Sequence, residues 1–333
     1  MTAGLRFVEL TGADESAMRD GFRVRCAVQE HDRPGDSPPS WRSFTSRPRW
    51  HYPGSRETMW AAYDGEQPVG WCATALQQED NRDVAQIEIE VHPEHRGRGV
   101  GQEVLRQLRP DLVSGGRTRG LFEVAGGGPG ETFLRAAGAR RVVADTQRRL
   151  DVARLDVDRH DRLLGDARAH ATGYELCRWV GATPPGSMAD IAVLHGRMST
   201  DPPLDNLSWE PEVIDEAHVA ARDEMMAAHG MRVYSAAARH RATDVVVGLT
   251  TLVVFSDVPA FGDQWETIVL PEHRGHRLGL ALKIENLRHA MKHERHIREV
   301  HTWNADSNAT MLAVNVAMGF TPVREWGEWE LAL

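Results

Sequence analysis

Lysine is nearly missing from this chain of 333 residues. It stands only at Lys283 and Lys292, and arginine carries the rest of the positive charge. That bias points to a GC-rich genome more than to a function. Positive charge is also in deficit overall, with a net charge of −9 and 26% charged residues. Such a balance suits a well-hydrated surface and argues against nucleic acid as the main partner. No stretch approaches the ~20 uninterrupted apolar residues of a membrane span, so no membrane partner is expected. The first six positions, Met1 to Arg6, carry no signal-peptide pattern. Cys26, Cys72 and Cys177 lie far apart, cannot all pair with one another and show no metal-ligand spacing. These absences lead to the expectation of reduced buried thiols, no metal and a cytoplasmic location.

What is present is a repeat. Val91-His-Pro-Glu-His-Arg-Gly-Arg-Gly-Val-Gly101 returns 178 positions later as Val269-Leu-Pro-Glu-His-Arg-Gly-His-Arg-Leu-Gly279. Each copy ends an apolar run that reads as a strand, and each precedes a helical segment, 102–108 or 280–293. A strand, a glycine-bearing turn and a helix start make a natural anion site, because backbone N–H groups converge there and the helix dipole adds positive charge. Two such sites in a chain long enough for two domains of about 150 residues suggest a duplicated phosphate-binding domain.

The flanking patterns agree. In the first half the expected order is strand 5–10, helix 14–30 capped by Asp14 or Ser16, and a Pro-, Ser- and Arg-rich loop 31–55 with room for a short helix. A hairpin of 58–63 and 68–75 about Asp64-Gly65 follows, then strand 86–92, the turn, strand 120–125, short helix 131–137 and strand 139–150. The second half reads as strand 174–180, helices 187–198 and 213–229, a hairpin of 231–240 and 244–255, and strand 264–270. After the second turn come strand 299–303, helix 308–318 and strand 321–331. The polar stretch 151–172 reads as a helical linker. The expected domains are therefore 1–150 and 173–333, both mixed α/β.

Val-x-Pro-x-x-Arg-Gly-x-Gly-x-Gly after a strand resembles the acyl-CoA signature of the GNAT family of N-acetyltransferases, whose pattern is Arg/Gln-x-x-Gly-x-Gly/Ala. Arg96, Gly99 and Gly101 match it in full. In the second half Arg274 and Gly279 match, but Arg277 replaces the middle glycine. Asn304-Ala-Asp-Ser-Asn308 and Gly319-Phe320 also resemble this family. The resemblance spans nearly the whole chain and implies two tandem GNAT-like domains, each a central mixed α/β sheet flanked by helices. It implies acetyl-CoA as co-substrate, with no metal, held by Arg96, Gly97, Arg98, Gly99, Val100 and Gly101 and by the strand edge Ile89, Glu90 and Val91. The second-half counterparts are Val269, Arg274, Gly275, His276, Arg277, Leu278 and Gly279, with Asn304 and Asn308 as further cofactor contacts. The chemistry fits. Glycine lets the backbone approach the pyrophosphate, and the pantetheine amides can pair with a free strand edge.

The implied reaction is transfer of acetyl to an amine of a small metabolite by direct attack in a ternary complex. The protein is expected to be a monomer or homodimer. The alternatives are acetylation of a protein or peptide amine, and a non-catalytic acyl-CoA-binding or sensing role. Glu88 and Glu266, each three residues before the valine that opens its turn, are the candidate general bases, directly or through water. A salt-bridged carboxylate is the competing reading of both. Glu88 and Glu90 are expected to share one face of their strand.

The family's tyrosine general acid falls on Leu134 and Asn315 here, so neither half supplies it in the usual way. Asn315 either positions substrate or is structural. Arg277 either adds a phosphate contact or blocks one, and the first half is favoured for ordinary cofactor binding. His92, His95, His273 and His276 read as surface or phosphate-adjacent groups. Trp209, Trp265, Trp303, Trp326 and Trp329 read as packing more than as an acceptor pocket.

Overall fold

The computed structural model describes residues 4–333; the first three positions of the N-terminal stretch read above lie outside the described residues. The chain divides into two compact units. One comprises the residues up to Ala144 together with Glu325–Leu333, and the other is Asp145–Arg324.

Unit 1 opens with β1 (Arg6–Glu9) and α1 (Glu15–Asp32), which starts where the Asp14 carboxylate accepts from the Ala17 N–H at 3.0 Å. The short α2 (Trp41–Ser46) is capped in the same way by Ser40. Then come β2 (Ser55–Asp64), β3 (Gln67–Gln77), β4 (Val84–Val91), α3 (Val100–Ser114), β5 (Arg119–Ala125) and α4 (Pro129–Ala136). The sheet runs β1-β2-β3-β4-β5 and is closed by β12 (Thr321–Ala332), whose Trp326 to Ala332 pair antiparallel with Ala125 to Arg119. Ile87, Val104, Leu108, Phe122 and Trp329 share a core on the α3 side. Met18, Val24, Phe44, Met59 and Trp71 fill the opposite side under α1 and α2.

Unit 2 begins inside β6 (Arg140–Asp151), passes through α5 (Val157–His170), and repeats the plan. Its further elements are β7 (Tyr174–Val180), α6 (Met188–Met198), α7 (Glu216–Ala228), β8 (Met231–His240), β9 (Val245–Phe255), β10 (Phe261–Val269), α8 (Leu278–His293), β11 (Glu299–Ala305) and α9 (Ala309–Met318). The strand order is β7-β8-β9-β10-β11-β6, with Asp151 to Asp145 antiparallel to Glu299 to Ala305.

The expected division at 150 and 173 therefore differs from the units found. β6 leaves its own half to pair with β11, and the end of β12 crosses back to β5. The expected linker contains α5, which packs inside unit 2 through Leu164 and Ala167. Trp326 and Trp329, read with the second half, belong to unit 1, where Trp329 is 2% exposed. The cysteines are free; Cys72 is buried, which pushes its thiol up to about 12.

Candidate functional site

The site in each unit is a gap in the sheet. β4 and β5 run parallel but pair only over Val84 to Gln86 with Arg119 to Leu121, and then separate. β10 and β11 pair only over Phe261 to Asp263 with Glu299 to His301. The remaining half of β4 stays paired with β3 up to Gly70 opposite Val91, so one edge is used and the other faces the gap. His92 donates its N–H to Val69 on β3 at 2.9 Å. Strand alternation then turns the Ile89 and Val91 N–H groups the other way, toward the gap. Glu90 is set apart from the expected edge. Its backbone turns toward β3, and its carboxylate accepts from the Trp71 indole at 2.6 Å.

The turn lies at the mouth of the gap. Gly97 and Gly99 both have left-handed backbones, at φ 72° and 82°. They bend the chain into α3, where Glu103 N–H is the first to reach an intrahelical carbonyl, that of Gly99. The N–H groups of Val100, Gly101 and Gln102 thus have no helical acceptor. Gly101 also admits Phe133, because a Cβ at 101 would stand 3.3 Å from its ring. The Arg96 side chain does not reach outward to an anion. It donates to the Val91 carbonyl at 3.1 Å and forms a two-pronged pair with Asp32 at the end of α1, both bonds 2.7 Å, and so braces the turn against the helix. Arg98 is exposed. Beyond the turn a groove of about 620 Å³ runs between α3 and α4, lined by Gln102, Leu105, Arg106, Arg109, Val113 and Phe133 among others.

The second turn copies the backbone and changes the side chains. Gly275 has φ 84°, and Arg277 takes the left-handed place of Gly99 at φ 56°, ψ 21°. A residue with Cβ pays roughly 1–2 kcal/mol for that conformation. The Arg277 guanidinium swings outward and pairs with Asp166 on α5. Arg274 repeats the bracing role, donating to the Val269 carbonyl at 3.0 Å and to Asp201 at 2.6 Å. Leu278 is buried, and Gly279 has room, with Thr267 Cγ2 3.8 Å from a built Cβ. His276 faces the His170 carbonyl at 3.3 Å. His273 meets the Tyr174 hydroxyl at 3.0 Å; partial burial, with His240 and His276 nearby, lowers its pKa. The two asparagines expected at the cofactor are engaged within the protein. Asn308 caps α9 by accepting from Met311 N–H, and Asn304 accepts from the Asn315 amide at 2.5 Å. Asn315 and Leu134, at the positions of the missing tyrosine, are both buried.

The two candidate carboxylates are held by arginines that no motif or spacing singled out. Glu88 shares its face of β4 with Glu90 and takes Arg47 at 2.6 Å and Arg25 at 3.2 Å. Its side chain is 46% exposed, and the protein around the rest works to raise its pKa. The guanidiniums of Arg47 and Arg25 outweigh that and hold the carboxyl at about 2. Both guanidiniums also lie over the Trp71 ring, at 5.4 and 5.0 Å. Glu266 sits in a bulge, where Trp265 and Glu266 together oppose Thr251 on β9; β4 has no such bulge. Burial works to raise its pKa, but Arg222 at 2.9 Å and His195 at 3.9 Å lower it. Burial drives His195 itself down to about 4. Among the described residues no group of three or more His, Cys, Asp or Glu is placed to hold a metal ion, and no helix is long and apolar enough to cross a membrane.

Residues 25–123, which span α1 to β5, match the acetyltransferase (GNAT) family model. No curated protein sequence matches the chain. Among solved structures it is similar to a tandem GNAT protein from the clavulanic acid biosynthesis pathway, solved without AcCoA, with 28% identity over 98% of each chain and a TM-score of 0.83. It is also similar in fold to a GCN5-related N-acetyltransferase from Sphaerobacter thermophilus, with 14% identity over 98% of this chain and 95% of that one and a TM-score of 0.64. The family-model match is thus confined to residues 25–123, and over its whole length the chain is similar to a tandem GNAT protein.

Proposed function

We propose that this protein transfers acetyl from acetyl-CoA to an amine of a small metabolite, with the cofactor in unit 1. The observation that carries the reading is the gap between β4 and β5, which leads from the glycine turn and has the Ile89 and Val91 N–H groups facing into it. In this reading the pyrophosphate lies on the N–H groups of Val100, Gly101 and Gln102, the helix dipole adding to their charge. The pantetheine amides pair with Ile89. The Val91 N–H points at the acetyl carbonyl and stabilises the oxyanion as the amine attacks. The groove past Gln102, with Arg106 and Arg109, suits the phosphorylated nucleotide end.

Glu88 remains the candidate catalytic carboxylate of unit 1. At a pKa of about 2 it is a weak proton acceptor. It therefore serves by orienting a water or the ammonium while the proton leaves to solvent. The leaving coenzyme A thiolate takes its proton from water, since Leu134 offers none.

That same buried Leu134, with Asn315 in unit 2, favours a second reading in which the chain binds acyl-CoA without turnover. Transfer to a protein or peptide amine is the third. A mass-spectrometric screen tests them together. Purified protein, acetyl-CoA and a panel of amine metabolites should yield at least one product heavier by one acetyl group. Coenzyme A binding with no acetylated product across metabolites and peptides would favour the binding role.

A further inference from the structure

The linker helix α5 has a place in unit 2 that nothing in the repeat predicts. The offset of 178 residues that aligns the turns also aligns α3 with α8, since the helices start at Val100 and Leu278. It sets Gln102 on Leu280, Arg106 on Ile284, Arg109 on Leu287 and Val113 on Met291. The first member of each pair lines the open groove of unit 1. The second member is packed in one apolar cluster with Leu164 and Ala167 of α5, and Leu280, Ile284 and Leu287 are nine-tenths or more buried there. Both arginines of the groove have thus become aliphatic, and the space is filled by the chain itself.

Polar contacts fix α5 along that length. His160, 1% exposed, meets the Met318 carbonyl at the end of α9 at 2.8 Å. Asp161 takes Arg288 at 2.6 Å, Arg168 pairs with Glu285, and Asp166 takes Arg277, the residue that replaced the turn glycine. The loss of the turn glycine, the exchange of both groove arginines for aliphatics and the arrival of α5 meet at one surface; the cations that the same offset brings in, Lys283 on Leu105 and Arg288 on Pro110, are respectively buried and paired with Asp161 of α5.

We infer that α5 is a built-in occupant of the nucleotide groove of unit 2, so that the chain loads a single coenzyme A, in unit 1. This rests on the proposed acyl-CoA function and assigns its stoichiometry. It also frees the gap of unit 2 from cofactor duty.

The test uses the full chain with coenzyme A as the probe. Calorimetry should give one coenzyme A per chain. Hydrogen exchange should show new protection at residues 96–102 and none at 274–280 or along α5. Gly99→Arg, checked for native circular dichroism, should weaken binding by roughly 5- to 150-fold and reveal no second site. Arg106→Ala should weaken it without touching the turn, which covers the case in which the first variant fails to fold. Two coenzyme A per chain, or protection appearing at 274–280, would overturn the inference while leaving the acyl-CoA reading intact. No binding to either unit would overturn both.

Discussion

At the scale of single residues, the repeat and its glycines were legible because turn chemistry is local. Gly97 and Gly99 form the glycine-bearing turn read in the sequence, both with left-handed backbones, and Arg277 stands in the same conformation where the pattern breaks. The environment of Glu88 was not legible. Its partners Arg25 and Arg47 lie 63 and 41 residues away in sequence, one on α1 and one just past the end of α2, and no spacing rule joins them. They change what the residue is expected to do. With Glu88 ionised far below neutral pH, the acidic limb of kcat/KM should belong to the acceptor ammonium. Glu88→Gln is expected to lower kcat/KM toward the small end of the roughly 10²–10⁴-fold range for loss of a general base, and to leave that limb where it was. A limb that moves with the substitution would show Glu88 itself titrating near neutrality.

Lys283, one of the two lysines, stood out in sequence only for its rarity, and its burial was not legible there. It is 1% exposed, its ammonium 5.5 Å from the centre of the Phe320 ring, and burial pulls its pKa down to about 7. A lysine that binds its proton less tightly when folded makes stability rise with pH, because the unfolded chain holds more protons between the two pKa values. Stability should therefore climb from about pH 7 toward the unfolded value near 10.5, by up to roughly 5 kcal/mol. Lys283→Met should remove that climb and stabilise the protein at neutral pH. Denaturant titrations of both proteins across this range check it, and parallel pH profiles would contradict it.

At the scale of elements, the sequence carried the local patterns well. Met231–His240 is a strand with the expected bounds, the hairpin turns at Gly65 and Glu66, one residue on from the expected Asp64-Gly65, and the strand–turn–helix units stand where the repeat put them. It could not say which strand pairs with which. Alternation marks the buried face of β12 but not its partner, and β12 reaches β5 across about 200 residues of sequence while β6 turns to β11. Likewise a polar, charged composition suggested a linker for 151–172. The few apolar positions of α5 suffice to dock it on α8. The strand exchange has a thermodynamic consequence. Trp329, near the C-terminus, sits in the core of unit 1 at 2% exposure. Trp329→Ala should cost about 3–5 kcal/mol. Hydrogen exchange should show the loss in β5, at Arg119–Ala125, and not in β11. Faster exchange confined to β11 would contradict the exchange of strands.

At the scale of the whole molecule, duplication has left two copies of one plan with different equipment. Unit 1 keeps the glycine turn, the open groove and its arginines. Unit 2 keeps a gap and gains a bulge at Glu266, but it has lost the turn glycine and has its groove filled. The duplication was visible in the sequence because the turns are nearly identical. The divergence was visible only in part, since Arg277 announced it but the packing of α5 did not.

Acetyl transfer is expected to run on cofactor held by the turn of unit 1. The most direct measurement is the steady-state rate of acetyl transfer from acetyl-CoA to an acceptor found by the screen, for the wild-type chain and for Gly99→Arg. Crowding the phosphate site should cost about 1–3 kcal/mol, which is roughly 5- to 150-fold in kcat/KM for acetyl-CoA. A Gly99→Arg protein that folds and transfers acetyl at the wild-type rate would contradict the account and place the working cofactor outside unit 1.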